Sequence, residues 1–456
     1  MEELEGTSRT VESREEPAYG SFKSGVALTF ATRILMFVGG VGSSVVVARW
    51  LGPEGLGTLA VLNVTVALAL QIGCGGLPSA NTYFIARDRR TLGPVWANAI
   101  IFALTGGSLL ALLVVALAGL RPALFGGVST NLLAIAAISV PFQLLTLLGL
   151  NVLLAMDRIG LMNLLDSMAP VLALFIAIVV LVILRANLTT LVSLNTVAAI
   201  VLSLSLLLTV ARLFARQKER RSCRPDFSLL KEMLVYGVKF YTSIMASVVI
   251  FRSDLLIVNH FRGAVEAGVY AVASQVSFLL LLMPGVMASM LFPRVAARQD
   301  PRGEFAVRVT RHASAVMFAI CIAAAAASFG LPLVYGVRFA DSTLQLLILL
   351  PGIYLVGIES VLVQHFTGTG LPAVIPVFWL ITLAINVGLN LALVPAFGAR
   401  AAAAISTLSY ALILGLVLVY FCAKTGRRVG EIFLPRRDEL RELFSLPRRG
   451  IFSKSN

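Results

Sequence analysis

Residues 95–119 read VWANAIIFALTGGSLLALLVVALAG, an apolar run of 25 residues that contains no charged side chain. An α-helix rises about 1.5 Å per residue, so a helix of this length crosses the roughly 30 Å hydrocarbon core of a bilayer. Eleven similar runs of about 20 to 25 residues follow one another with short turns between them. The sequence therefore predicts an all-α membrane protein with twelve transmembrane helices. Their predicted bounds are residues 25–48, 56–82, 95–119, 131–155, 160–184, 188–211, 234–259, 267–292, 312–334, 343–367, 373–395 and 401–423.

Composition agrees with a membrane protein and excludes most enzymes. Apolar residues make up 58% of the chain and charged residues 13%, about half the charge of a soluble protein. The four cysteines are scattered singly, and no CxxC motif or cysteine–histidine cluster is present, so we expect no disulfide, metal site or cofactor. The sequence also lacks a GxxxxGKS/T phosphate-binding loop and a DxD-like acidic motif, which argues against ATP-driven or glycosyltransferase chemistry. No catalytic residues are assigned.

The distribution of lysine and arginine predicts the orientation of the chain. The inner loops and the two tails carry most of the 37 Lys and Arg residues, and cytoplasmic loops are enriched in such residues, so both termini are predicted to be cytoplasmic. The net charge of +14 is then a topology signal, and no nucleic-acid partner is expected. Basic residues in the tail 424–456 indicate a surface-lying segment attracted to anionic lipids. Each of the six predicted outer loops carries one arginine: Arg49, Arg121, Arg185, Arg262, Arg338 and Arg400.

A basic inner loop divides the chain into six spans and six spans. At the first turn of each half, Gly263 follows Gly52 and Gly268 follows Gly57, in both cases by 211 positions. Because six is even, the halves are predicted to be parallel repeats about an axis along the membrane normal, with substrate bound between two rocking six-helix bundles. The predicted regions are an acidic cytoplasmic tail 1–24, a bundle 25–211, a linker 212–233, a bundle 234–423 and a basic cytoplasmic tail 424–456.

Ionisable side chains inside the predicted spans are candidate site residues, because each costs about 2.5–3.5 kcal/mol to insert. Arg33 shares a face with small and polar residues, so it is either a cavity cation for an anionic headgroup or a snorkelling or structurally paired arginine. Lys239 and Arg252, in the seventh span, are further cavity candidates. Asp254 and Glu359 are candidates for proton or sodium coupling. Lys239 and Asp254 could also be interfacial, and Glu359 could be the counter-ion of an arginine.

Two stripes of polar residues lie within spans. Asn63 and Gln71 share a face of the second span, which favours lining of a cavity over plain helix packing. Pro78, later in the same predicted span, would free a backbone carbonyl for neighbours or water to satisfy. Asn386 and Asn390 share a face of the eleventh span, where they either meet ligand hydroxyls or hydrogen-bond between helices.

The turn after the first span carries the pattern A-R-x-L-G-P-x-G-x-G, matched by Ala48, Arg49, Leu51, Gly52, Pro53, Gly55 and Gly57. In the second half, Arg252 and Asp254 precede Gly268, Val269, Tyr270 and Ala273, similar to an R-x-D…G-x-Y-x-x-A run. Together these motifs resemble the polysaccharide (Wzx-type) flippases of the MATE-like MOP superfamily, over about residues 20–425. The resemblance implies a two-lobed fold of twelve helices in the bacterial inner membrane. It also implies movement of undecaprenyl-diphosphate-linked oligosaccharide from the inner to the outer leaflet by alternating access.

The resemblance further implies a cationic cavity that suits a diphosphate, and a possible association with polysaccharide polymerase machinery. Twelve spans depart from the fourteen of lipid II flippases. The first span has Arg33 where drug exporters usually carry an acid. Two alternatives stay open. One is a cation-coupled multidrug or small-molecule exporter that would depend on Glu359 or Asp254. The other is a membrane-embedded polymerase or ligase, which would need a large outer loop that the sequence lacks.

Overall fold

The computed structural model describes residues 19–215, 224–288, 303–368 and 372–433, and the chain is helical through most of these ranges. The helices of the N-terminal half are α1 (Tyr19–Gly73), α2 (Leu77–Arg87), α3 (Leu92–Leu120), α4 (Thr130–Ile138), α5 (Val140–Ala155), α6 (Ile159–Ala177, extended by a π-helical turn over Ile178–Ile183) and α7 (Leu188–Ala215). Those of the C-terminal half are α8 (Phe227–Leu280), α9 (Glu304–Ser328), α10 (Leu331–Tyr335), α11 (Asp341–Gly368), α12 (Val374–Thr425) and α13 (Val429–Phe433). Most of the two predicted tails, residues 1–18 and 434–456, lies outside the described residues.

Three helical segments are long enough to cross the membrane twice. Among the described residues, 9 segments are long and apolar enough to span, and three of them run for 43, 48 and 52 residues. Each of the three bends at one glycine with a positive φ: Gly52 at 70°, Gly263 at 83° and Gly398 at 65°. A side chain disfavours this backbone geometry, so glycine is what allows the reversal. Counting each bent segment as two crossings gives the twelve predicted, and the all-α membrane fold is confirmed.

The two halves meet at the glycines that the internal repeat aligns. A Cβ placed on Gly57 would lie 1.8 Å from the carbonyl oxygen of Ala264, and one on Gly268 would lie 2.0 Å from that of Pro53. The contact is therefore reciprocal, as a two-fold relation between the halves requires. Backbone approaches backbone here, because no side chain fits between the two turns.

The second predicted span, residues 56–82, is wrong at its far end. Helix α1 stops at Gly73, and the chain turns through Gly75 and Gly76, both with positive φ, before α2 begins. A Cβ on Gly76 would lie 2.5 Å from the backbone of Gly237, so this turn also requires glycine. Pro78 consequently lies in the first turn of α2, where a proline leaves no extra carbonyl unpaired. Sequence hydropathy missed the break because the flanking residues stay apolar throughout.

The first turns of α8 pack on the N-terminal bundle instead of forming a free linker. Met233 and Tyr241 are buried in a hydrophobic cluster with residues of α2, α3 and α5. Only residues 216–223 of the predicted linker 212–233 lie outside the described residues. The end of α7 and the start of α8 thus continue into this linker as helix.

The basic C-terminal tail begins as a docked helix. Ile432 of α13 is fully buried, and the Arg311 guanidinium of α9 donates from Nε to the carbonyl oxygen of Glu431 at 2.9 Å. Arg427 pairs with Glu304 at 2.6 Å and with Glu431 at 3.4 Å. The hydrogen bonds that Arg427 donates, the one to Glu304 foremost, raise the pKa of Arg427 above its usual range. The predicted surface-lying segment can therefore begin only after α13.

Candidate substrate and coupling sites

Arg33 is paired with an acid of a neighbouring helix. Its Nη1 lies 3.5 Å from Oδ2 of Asp166 on α6 and 3.6 Å from the sulfur of Met36. The arginine and aspartate side chains are 45% and 30% exposed, so solvent or ligand can reach both. One hypothesis from the sequence made Glu359 the counter-ion of Arg33 or of another arginine, and for Arg33 the structure shows Asp166 in this role. Because both contacts use Nη1, the Nε and Nη2 hydrogens point away from them and can meet an anionic ligand.

Arg252 and Asp254 point apart, as their spacing of two residues on a helix predicts. Arg252 is exposed, and its guanidinium lies over the ring of Phe278, 5.2 Å from the centroid. A guanidinium in this position is held by the ring quadrupole and keeps its hydrogen-bond donors available. Asp254 is 2% exposed and lies inside the C-terminal bundle. Arg252 is therefore the accessible member of the motif and Asp254 the structural member.

Asp254 accepts hydrogen bonds from three neutral donors. The hydroxyls of Tyr270 on α8 and Ser406 on α12 both reach Oδ2, Ser406 at 3.2 Å, and the amide of Leu255 reaches Oδ1 at 2.7 Å. Tyr270 belongs to the R-x-D…G-x-Y-x-x-A run, and its hydrogen bond to Asp254 gives that run a physical reason. Through the hydrogen bonds of Tyr270 and Ser406, the Asp254 carboxylate joins the two spans of α8 to the second span of α12. Buried carboxylates need such partners, since an unpaired charge in this interior is very costly.

Glu359 is a second buried acid, with less support around it. Its side chain, on α11, is 2% exposed, and its Oε1 has no hydrogen-bond partner. Trp379 of α12 hydrogen-bonds to the carboxyl group, and no ion pair within 4.0 Å holds it among the described residues. A carboxyl group in these surroundings is stable when it carries a proton or binds a cation. Those are the two events that ion coupling requires.

The asparagines of α12 hold its two spans together. Asn386 and Asn390 are fully buried. The amide of Asn386 donates to Oγ of Ser409 at 2.9 Å, and the amide of Asn390 donates to the carbonyl oxygen of Asn386 at 2.9 Å. Of the two roles predicted for this stripe, the described structure shows the interhelical one. The Oδ1 atom of Asn390 has no partner, so one acceptor remains for a ligand if the bundle opens.

Asn63 and Gln71 differ in accessibility. Asn63 is exposed although Leu62 and Val64, its neighbours in sequence, are buried. Gln71 is half-buried, and its backbone carbonyl oxygen accepts a hydrogen bond from the hydroxyl of Tyr241 at 2.7 Å. Asn63 thus lies on the surface of the described bundle, whereas Gln71 lies where the halves touch. Lys239 lies on α8, but its side chain falls outside the described residues.

A group of contacts joins the two halves at the end of the bundle that carries the turns at Gly52 and Gly263. We call these the turn-end contacts. Arg49 of the first-turn motif donates from Nε to the carbonyl oxygen of Val334 at 2.8 Å. Its partner helix, α10, ends there, so Arg49 satisfies carbonyl groups that the helix leaves unpaired. Further turn-end contacts are the buried hydrogen bonds Ser44–Tyr335 at 3.1 Å and Asn259–Phe125 at 2.7 Å, and a hydrogen bond between the His260 ring and the carbonyl oxygen of Ala123. The sequence marked Arg49 as a loop charge and as a member of the first-turn motif, and gave no partner for it.

A second set, the opposite-end contacts, joins the other ends of the spans. Asn98 and the backbone of Asp226 exchange two hydrogen bonds, at 2.7 and 3.0 Å. Tyr83 and Tyr236 stack with centroids 4.5 Å apart. The set is completed by the Tyr241–Gln71 bond and the Gly76–Gly237 approach. Both sets consist of hydrogen bonds, ring contacts and backbone packing, with no interhelical ion pair among those described between the halves.

No metal-binding group is present in the part of the chain that the structure describes. A search there for three or more His, Cys, Asp or Glu side chains placed to hold a metal ion finds none. In the described ranges, Arg427 is the basic residue that pairs with two acids, Glu304 and Glu431. Asp254 and Glu359 therefore remain two single carboxyl groups.

The fold is that of the MOP superfamily of membrane transporters. An inward-facing multidrug resistance MATE family transporter matches with a TM-score of 0.70 at 14% identity, covering 86% of this chain and 94% of that one. The lipid II flippase MurJ in an inward closed conformation also matches with a TM-score of 0.70 at 14% identity, covering 88% and 90%. A MATE protein in complex with MaD3S matches with a TM-score of 0.60 at 16% identity, covering 89% and 97%. A search of the curated proteins found no match.

The sequence pattern of one family covers more than half of the chain. The family is described as polysaccharide biosynthesis protein, and its pattern matches residues 23–299. This chain therefore belongs to the polysaccharide biosynthesis protein family. The resemblance predicted from the first-turn motif is confirmed for the polysaccharide biosynthesis family, and the predicted fold is confirmed by the solved structures.

Proposed function

We propose that this protein is a flippase that moves undecaprenyl-diphosphate-linked oligosaccharide from the inner to the outer leaflet of a bacterial inner membrane, for surface polysaccharide assembly. The observation that carries the proposal is the reciprocal packing of Gly57 and Gly268 in a chain of the polysaccharide biosynthesis family. Two similar bundles in contact at equivalent points can rock about that contact and expose a site between them to each side in turn.

Arg33 and Arg252 are the proposed diphosphate contacts, with Lys239 as a third cation. Both described arginines are accessible and keep unused donors, and a guanidinium binds phosphate oxygens through parallel charge-assisted hydrogen bonds. Asn63 and Gln71 are proposed to face the glycan from the N-terminal bundle. Asn386 and Asn390 would reach it only after the C-terminal bundle rearranges, because they are fully buried in this conformation.

Alternating access requires the two contact sets to break in turn. Opening toward the outer leaflet would separate the turn-end contacts, and opening toward the cytoplasm would separate the opposite-end contacts. Each set holds only a few hydrogen bonds, worth about 0.5–1.5 kcal/mol apiece, so differential binding of a ligand can shift the balance.

Both termini are proposed to lie in the cytoplasm. The arginine and lysine distribution supports this orientation, and the tail beyond α13 would then meet the anionic inner leaflet. A flippase in this position would deliver its product to polysaccharide polymerase machinery, which we propose as its functional partner. No cofactor and no catalytic residue are assigned to the process.

The flippase proposal is tested by locating lipid-linked glycan in a strain that lacks the protein. Spheroplasts are treated with an impermeant glycan-modifying reagent, before and after complementation. We expect the glycan to accumulate in protected form in the deletion strain and to become accessible once the protein is restored. Normal display of glycan at the outer leaflet without the protein, in a strain with no second flippase, would reject the proposal.

Glu359 is proposed as the coupling acid, and Asp254 as a second candidate. Replacing Glu359 by glutamine removes the group that can take up and release a proton or bind sodium. We expect transport driven by an imposed proton or sodium gradient to fall at least about tenfold, toward the rate without a gradient. Uptake into proteoliposomes with and without each gradient measures this.

Glu54→Gln, at an exposed glutamate of the first turn, is the matched control and should keep full gradient dependence. Unchanged dependence in Glu359→Gln would exclude this residue.

A cation-coupled exporter of small molecules is the second candidate. The two buried acids, Asp254 and Glu359, favour it, because ion coupling is useful for moving a soluble solute against its gradient. It predicts drug accumulation in the deletion strain, drug efflux that depends on these two acids, and no change in the leaflet distribution of the lipid carrier. The same deletion strain therefore separates the two candidates.

A further inference from the structure

The three predicted outer turns of the C-terminal half converge on one pocket. It has a volume of about 520 Å³ and is lined by the single arginine of each turn, Arg262, Arg338 and Arg400. We propose that this pocket binds an acidic sugar unit, a pyranose ring that carries a carboxylate. The proposal rests on the proposed function, which delivers glycan to this face of the membrane.

Arg338 supplies the cation for the carboxylate. It is exposed and forms no ion pair within 4.0 Å with any described acid, and it lies at the turn beside Gly52. Arg262 and Arg400 each contact an acid through one nitrogen, Arg262 with Glu266 at 2.9 Å and Arg400 with Asp341 at 3.3 Å. The pocket is therefore lined by three guanidinium groups and two carboxylates, those of Glu266 and Asp341. A ligand with one negative charge would bring the net charge of the pocket to zero.

Glu266 makes the wall of the pocket rigid. Its Oε1 accepts a hydrogen bond from the amide of Ala399 at 2.6 Å, and its Oε2 accepts from Arg262 at 2.9 Å. A Cβ on Gly398 would lie 2.0 Å from Oε1, so the carboxylate fits against a bare backbone. Glu266 thus ties the turn at Gly263 to the turn at Gly398. Such a preorganised wall lowers the entropy cost of binding a ligand.

A buried hydrogen-bond acceptor and an exposed aromatic ring also line the pocket and could contact the sugar. Gln345, on α11, lines the pocket with only 3% of its side chain exposed, and its Oε1 has no hydrogen-bond partner. A buried amide oxygen without a partner is costly, and a small rotation of the Gln345 side chain would bring Oε1 to a ligand hydroxyl group that satisfies it. Phe397, at the pocket edge, is 67% exposed and offers an apolar face to the C–H side of a sugar ring. Anion, hydroxyl and ring face are features that one acidic sugar unit combines.

Size and chemistry favour a sugar over a phospholipid headgroup. Ligand pockets typically enclose about 300–1,000 Å³, and this volume accommodates one or two pyranose rings. A phosphate diester would engage the arginines, yet its oxygens are all acceptors and cannot satisfy Gln345. A hydroxyl-bearing headgroup remains the main competitor, and the test below distinguishes it.

Binding is measured on the full-length protein in nanodiscs of phosphatidylcholine. The probes are a disaccharide that contains glucuronic acid and the corresponding neutral disaccharide with glucose in its place. We expect the acidic disaccharide to bind and the neutral one to bind at least about tenfold more weakly. Arg338→Gln and Gln345→Leu should each weaken binding of the acidic probe about tenfold or more. The matched control, Arg121→Gln, removes an exposed arginine of a predicted outer turn in the other half and should leave binding unchanged.

Equal binding of the two disaccharides, no binding of either, or unchanged binding in Arg338→Gln would overturn the proposal. So would displacement of the acidic probe when phosphatidylglycerol replaces part of the phosphatidylcholine, because the pocket would then hold a lipid headgroup. The leaflet assay in cells reports separately on flipping. A protein that restores glycan display but does not bind the acidic disaccharide would retain the proposed function and lose only this site.

Discussion

Alanine in place of Gly57 is expected to reduce transport of lipid-linked oligosaccharide on the order of tenfold, without preventing insertion of the protein. The new Cβ would lie 1.8 Å from the carbonyl oxygen of Ala264, so the two halves cannot close at the turn end without a backbone shift. Overpacking of this kind costs about 1–3 kcal/mol and would depopulate the conformation closed at that end. Complementation of a deletion strain, with glycan accessibility as the readout, measures the loss.

Gly119→Ala is the matched control for Gly57→Ala. Gly119 lies near the end of α3, and a Cβ there would meet nothing within 4 Å. Its replacement should leave transport unchanged. A second readout separates a shifted equilibrium from misfolding: a cysteine placed at Asn63 should become more reactive toward an impermeant thiol reagent in Gly57→Ala. Full transport with unchanged reactivity at this cysteine would mean that the Gly57–Gly268 contact has no part in the cycle.

Removal of the Arg33 guanidinium is expected to lower transport at least about thirtyfold, while the protein still inserts. The ion pair with Asp166 is partly exposed and contributes only about 0–1 kcal/mol. The expected loss comes from the diphosphate headgroup, which would lose charge-assisted hydrogen bonds worth about 1.5–3 kcal/mol each. The loss could come from the missing headgroup cation or from the broken ion pair, since Arg33 also pairs with Asp166 at 3.5 Å. These two explanations have to be separated. Arg33→Ala alone cannot do so, because it removes the pair and the cation together.

Asp166→Asn provides the separation. This variant breaks the same ion pair and keeps the positive charge of Arg33, so a binding role predicts that transport is retained, whereas a purely structural role predicts that both variants lose it. Thermal unfolding in detergent gives the accompanying measure of stability. Full activity in Arg33→Ala would reject Arg33 as the headgroup contact. Comparable loss in both variants, together with comparable loss of stability, would assign it to packing.

Candidate sites followed from the sequence to different degrees. Asp254 was recognised as an ionisable residue of a predicted span and from its place in the family motif, with an interfacial position left open, and the structure shows it buried with Tyr270 and Ser406 as partners. The pocket of Arg262, Arg338 and Arg400 could not have been foreseen, since the sequence shows only one arginine in each of three separate turns. Neither Arg49 as a contact between the halves nor Gln345 as an unpaired acceptor carries a sequence signal beyond its position.

The number of spans, the all-helical fold and the glycine at each first turn follow from the sequence, because hydropathy, helix rise and backbone freedom are properties of neighbouring residues. The sequence aligned Gly57 with Gly268 as equivalent positions of a repeat, and the contact between them is seen only in the structure. The partner of Arg33, the break in the second span and the convergence of the outer arginines were decided only by tertiary structure. Arg33 and Asp166 are 133 positions apart, and Gly76 turns where it does because the backbone of Gly237 packs against it. Such proximities depend on how helices pack across the whole bundle, and no local pattern of residues encodes them.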